Sequence, residues 1–192
     1  MCALSAALLL AACSSSKSAA PSDTTTASSG TSASTDTAAA SATTAGPSAP
    51  TVLGPGSSRS YGGTPAVGNA TNLQTAPTIS AGSGTPPASL VIRELVFGKG
   101  AVATQGSTVN VQYVGANYTD GQVFDSSWQR GQPATFPLSG VIAGFARGIV
   151  GMRVGGRREL VIPPALGYGT TGSGPVGPNE TLVFVIDLLS VQ

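Results

Sequence analysis

The sequence of 192 residues contains no histidine, and its only two cysteines, Cys2 and Cys13, lie near the N-terminus. Everything beyond Cys13 is therefore without the Ser-His-Asp and Cys-His systems of nucleophilic catalysis. It is also without a disulfide framework. Charge is scarce: nine Lys and Arg against eight Asp and Glu, for a formal net charge of +1. Such near-neutrality argues against a nucleic-acid partner, which would call for a basic face. The acidic residues Asp120, Asp125, Glu159, Glu180 and Asp187 stand apart without the spacing of metal ligands, so no metal or cofactor is expected. The glycine-rich stretch 172–177 lacks the Lys-Ser/Thr ending of a phosphate loop. Neither heptads nor internal repeats occur, and a monomer is expected. Hydrolysis and phosphoryl transfer drop out on these grounds.

What is present divides the chain. Residues 1–13 hold an apolar run, Ala3 to Ala12, that is too short to span a bilayer but has the length of a signal-peptide core. The four residues Leu10 to Cys13 resemble the bacterial lipobox, which implies acylation of Cys13, export and anchoring to a membrane through lipid. An uncleaved, non-exported tail stays open as the alternative, because no Lys or Arg precedes the apolar run. Over 14–84 only Lys17, Asp23, Asp36 and Arg59 are charged, and Ser, Thr, Ala, Gly and Pro dominate. Such a composition offers too little apolar surface to offset the entropy of ordering, so 14–84 reads as a disordered linker. The remaining 85–192 reads as one folded domain.

Within that domain, Leu90 to Phe97 suits a strand ended by the turn Gly98-Lys99-Gly100. From Thr108 to Tyr118 the side chains alternate: Val109, Val111 and Tyr113 on one face, Asn110 and Gln112 on the other. Thr119 to Gly121 is a turn signal before Gln122 to Asp125, and Ala134 to Leu138 suits a further strand. Val141, Ile142, Phe145 and Ile149 recur at helical spacing despite Gly144 and Gly148, which predicts one short amphipathic helix. Arg157 to Ile162 and Thr181 to Val191 read as two more strands, the latter with Leu182, Phe184, Ile186 and Leu188 on one face. The simplest packing is an α+β fold in which an antiparallel β-sheet wraps one short α-helix.

Four segments then form one ordered pattern: Val111 to Gly115, Gly121 to Ser127, Gly151 to Arg158 and Ile162 to Gly169, with Thr181 to Leu189 closing the chain. In order and near-spacing they resemble the FKBP family of peptidyl-prolyl cis-trans isomerases over Ala88 to Gln192. The resemblance implies an FKBP-like fold, a catalyst of X-Pro isomerisation and a pocket made of Tyr113, Phe124, Asp125, Phe136, Val141, Ile142, Phe145, Tyr168 and Phe184. It further implies that Val141 and Ile142 begin the helix and that Phe145 forms the pocket floor, where the best known members have Trp. The Tyr168 hydroxyl would bond a ligand carbonyl, and Arg130 would pair with Asp125 and Tyr113. Ala134 falls where many members have an aromatic, and Val176 aligns as a pocket residue in a loop, 170–179, one residue shorter than in those members. Prolyl polypeptides, and macrolides, are the ligands implied.

Each residue also has a plainer reading. Tyr113, Phe124, Phe136 and Phe184 fit a strand core, and Phe145 and Ile142 fit a helix face packed on the sheet. Asp125 fits a turn or cap, while Arg153, Arg157 and Arg158 fit a solvated turn and strand face. Trp128 suits loop packing or a partner contact. Three functions follow: an isomerase for proteins folding outside the cytoplasm, a non-catalytic module binding prolyl peptides or a macrolide, and a general chaperone. The joint order of the motifs favours the first.

Overall fold

The structure, a computed structural model, describes residues 51–53 and 63–192. The signal region with Cys13, and the stretches 14–50 and 54–62, lie outside the described residues. In chain order the strands are β1 (Thr51–Leu53), β2 (Val67–Gly68), β3 (Thr78–Ile79), β4 (Val91–Val96), β5 (Thr108–Asn117), β6 (Val123–Ser126), β7 (Ala134–Pro137), β8 (Arg157–Ile162) and β9 (Leu182–Val191). One α-helix, α1 (Ala143–Ile149), lies between β7 and β8. The main sheet runs β1-β4-β8-β9-β5-β6, with β7 also paired to β5. Its pairings are antiparallel except that of β1 with β4. The α+β expectation, a sheet around one short helix, matches this arrangement.

Alternation sorts the strand residues into two cores. On the helix side, Val109, Val111, Tyr113, Leu160, Ile162 and Phe184 pack with Phe145 and Ile149 of α1. On the outer side, Val91, Val114, Val161, Val183 and Val185 form a second cluster with Tyr118 and Ile79. Strand β9 is thus buried on both faces from Leu182 to Leu188.

The helix begins later than its apolar spacing suggests. Val141 and Ile142 are extended, and Ile142, at φ −57° and ψ 145°, is the N-cap of a helix that starts at Ala143. Its glycines have a packing reason. A Cβ on Gly144 would stand 2.3 Å from Cγ2 of Ile162, and one on Gly148 would stand 2.3 Å from Cδ1 of Leu160. Each glycine costs about 1 kcal/mol of helix propensity, but together they let the backbone lie directly on β8.

Two sequence expectations are corrected here. Residues 63–84, read as the end of a disordered linker, are ordered against the outer face of the sheet. The β2–β3 ladder forms there, Ile79 is buried, and backbone carbonyls of the segment accept hydrogen bonds from side chains of the sheet. Arg157 and Arg158, read as solvated, are buried. As neighbours on β8 they point to opposite faces, and each meets a carboxylate: Asp187 on β9 for Arg157, Glu94 on β4 for Arg158. Arg153 is exposed, as expected of a turn residue.

Candidate active site

Five aromatic rings converge at the helix-side face of the sheet, one each from β5, β6, β7, β9 and α1. The Phe145 ring meets Phe184 edge-on at 5.3 Å between centroids, Phe136 at 6.1 Å and Tyr113 at 6.3 Å. Phe124 meets Phe184 edge-on at 5.6 Å, and Tyr113 lies 5.9 Å from Phe136. Tyr113, Phe145 and Phe184 are buried, whereas Phe124 and Phe136 are half-buried. Ala134, Val141, Ile142 and Tyr168, also half-buried, pack on the same core. The result is an apolar basin whose inner rings are fixed and whose outer members are partly open.

Val176 is buried in that same core. The loop reaches it through a tight reversal in which the amides of Ser173 and Val176 each donate to the other's carbonyl, at 2.9 and 3.0 Å. Gly172 makes the reversal possible, at φ +74°, where a Cβ would stand 2.5 Å from the Val176 carbonyl oxygen.

A polar rim borders the aromatics. The Tyr113 hydroxyl donates to Asp125 Oδ2, and Arg130 donates through Nη1 to Asp125 Oδ1 and through Nη2 to the Tyr113 oxygen, the last at 2.9 Å. The Arg130 guanidinium also sits 5.5 Å from the Tyr113 ring centroid. Burial, reinforced by the bond to Asp125, pushes the Tyr113 phenol up to about 12. It therefore stays a neutral donor across the physiological range. Tyr168 is likewise raised, first by burial and then by the charge of Asp125. Its hydroxyl makes no hydrogen bond among the described residues, so a donor is left free for a ligand.

Sequence reasoning missed two contributors. Gly115 faces the basin from β5: a Cβ there would stand 2.8 Å from Cε1 of Phe184 and 2.9 Å from Cζ of Phe124. A lone glycine within an alternating strand is the signal that marks such close approach. Ser127 was read only as part of a motif, yet it is completely buried behind Tyr113.

Among the described residues no cluster of three or more His, Cys, Asp or Glu could hold a metal ion. A separate groove of about 420 Å³, walled by Pro86, Pro87, Pro163 and Pro164, shares no aromatic side chain with the basin. The arrangement suits holding a small apolar ring while donating a hydrogen bond to a carbonyl beside it.

Known proteins resemble this chain closely. A family model described as FKBP-type peptidyl-prolyl cis-trans isomerase matches residues 100–189. A probable FK506-binding protein of Corynebacterium glutamicum is 52% identical over 114 residues, which cover 59% of this chain and 97% of that protein. The FKBP-type isomerase FkpA of Escherichia coli is 43% identical over 108 residues, 56% of this chain and 40% of its own length. The crystal structure of E. coli FkpA superposes with a TM-score of 0.53 at 41% identity, covering 56% of this chain and 51% of that one. That of AtFKBP13 gives 0.51 at 35% identity, covering 56% and 97%.

Proposed function

This chain belongs to the FKBP-type peptidyl-prolyl cis-trans isomerase family and is an isomerase of prolyl-containing polypeptides; from that premise we propose that catalysis takes place in the aromatic basin centred on Phe145. The observation that carries this reading is the convergence of five rings beside the Tyr168 hydroxyl, which makes no hydrogen bond among the described residues.

The barrier to X-Pro rotation, about 18–20 kcal/mol, is the amide resonance lost on twisting. No bond is made or broken, so neither a nucleophile nor a proton acceptor is needed. The planar amide is the more dipolar state and is better solvated by water. Phe124, Phe136, Phe145 and Phe184 exclude water around the prolyl ring and so favour the twisted state over the planar one. Val141, Ile142, Ala134 and Val176 complete the apolar wall. Tyr168 holds a peptide carbonyl, while Asp125, tied to Arg130 and Tyr113, fixes the polar edge along which the chain lies.

A short X-Pro peptide followed by exchange spectroscopy tests this. The folded protein accelerates cis-to-trans exchange; binding without acceleration would instead mark a module that holds prolyl peptides or a macrolide.

The site of action is the cell envelope, with the domain carried on a lipid-modified Cys13. The lipobox-like residues 10–13 support this. Cells fed a radiolabelled fatty acid should label the protein and leave a Cys13→Ala variant unlabelled; equal labelling, or none in either, would overturn the anchor.

A further inference from the structure

Strand β5 changes partners opposite the site. Val114 and Gly115 pair with Ser126 and Asp125 of β6, whereas Val111 pairs with Ala134 of β7. Gln112 and Tyr113 lie in the gap between these two edge strands. On their other side both pair with β9, Tyr113 opposite Ile186. The gap leaves the backbone of Tyr113 facing no strand residue in register.

Ser127, one residue past β6, fills it. Its side chain is completely buried. The Tyr113 amide donates to Ser127 Oγ at 2.8 Å, and the Ser127 amide donates back to the Tyr113 carbonyl at 3.1 Å. The Ser127 hydroxyl donates to Gln112 Oε1, the nearer of its two acceptors, the other being the Tyr113 carbonyl at 3.3 Å, and this turns an oxygen lone pair toward the Tyr113 amide. Without that acceptor the Tyr113 N–H would be buried and unsatisfied.

We propose that Ser127, oriented by Gln112, is a positioning residue for the isomerase. It ties the exit of β6 to Tyr113 and thereby holds the Tyr113 hydroxyl, Asp125 and Arg130 in one arrangement. The lever is short: Asp125 lies two residues before Ser127 on the same segment, and Tyr113 bonds both of them. Loss of the Ser127 hydroxyl removes the acceptor of the Tyr113 amide and leaves only the Ser127 amide's bond to the Tyr113 carbonyl to tie the exit of β6 to β5, so the rim loosens while the rings of the basin stay packed. The inference rests on the basin and its rim being the catalytic site.

Exchange kinetics on an X-Pro peptide test it, with Ser127→Ala made alone and in a Tyr113→Phe background. In the parent background Ser127→Ala lowers kcat/KM about three- to tenfold, the equivalent of one buried hydrogen bond. In the Tyr113→Phe background, where no hydroxyl remains to be positioned, the same change alters the rate less than about twofold, the non-additivity expected of coupled residues. Ser127→Thr, which keeps the hydroxyl, restores most of the loss. Should Ser127→Ala not fold, Gln112→Ala at the half-buried neighbouring position takes the same two-background test. Full activity of a folded variant, or an equal loss in both backgrounds, overturns the positioning role. Normal activity of Tyr113→Phe by itself would remove the rim from the site and the role with it.

Discussion

Glu159 is completely buried on the outer face of β8. Arg93 Nε pairs with its Oε2 at 2.5 Å. Burial outweighs the attraction of Arg93 and pushes the carboxyl up to about 7. Asp187, paired with Arg157 on the same face, is raised too, by burial. A carboxyl raised in the folded state binds protons more tightly there than in the unfolded chain. Its contribution to stability is complete below the ordinary carboxylate range and is lost as pH rises through the folded value. Urea unfolding should therefore show stability falling between pH 5 and pH 8, with Glu159→Gln flattening much of the slope. A profile unchanged by Glu159→Gln would show that the carboxyl does not titrate there. At this scale the sequence disclosed the aromatics and Asp125, because motif order singles them out. It hid Arg157, Arg158 and Glu159, whose pairings depend on strand register that no local pattern records.

Strands β4 to β9 were legible because their alternation and turn residues are local signals, and their observed limits fall within a residue or two of those read from the sequence. The segment 63–84 was not. It carries no charge and no aromatic side chain, so composition marks it as a linker. What holds it is mostly its backbone. The carbonyls of Asn69 and Thr75 accept from Arg157 at 2.5 and 3.0 Å, that of Pro65 accepts from Arg93 at 3.2 Å, and that of Gly63 accepts from the Tyr118 hydroxyl at 2.6 Å. The affinity resides in side chains of the sheet, far away in sequence. Apolar cover by Val67 and Ile79 adds to it. A chain beginning at Thr85 should consequently be less stable than one beginning at Gly63, by about 2–4 kcal/mol after the entropy of ordering the strap is set against its bonds and buried area. Coincident urea midpoints for the two chains would contradict that.

For the whole molecule, the fold followed from the element pattern and the function from the joint order of motifs, and both agree with the family the chain belongs to. The strap over 63–84 and the two-sided burial of β9 are tertiary facts that the sequence alone leaves open. The central claim is that prolyl isomerisation takes place in the basin bordered by Tyr168 and Asp125. The measurement that tests it most directly is cis-to-trans exchange in a short X-Pro peptide with residues 63–192, set against Tyr168→Phe and Asp125→Ala versions of the same folded chain. The account predicts acceleration by the parent and a fall in kcat/KM of about tenfold in each variant, the equivalent of one charge-assisted or ligand hydrogen bond. Undiminished acceleration by both variants would place the chemistry elsewhere and contradict it.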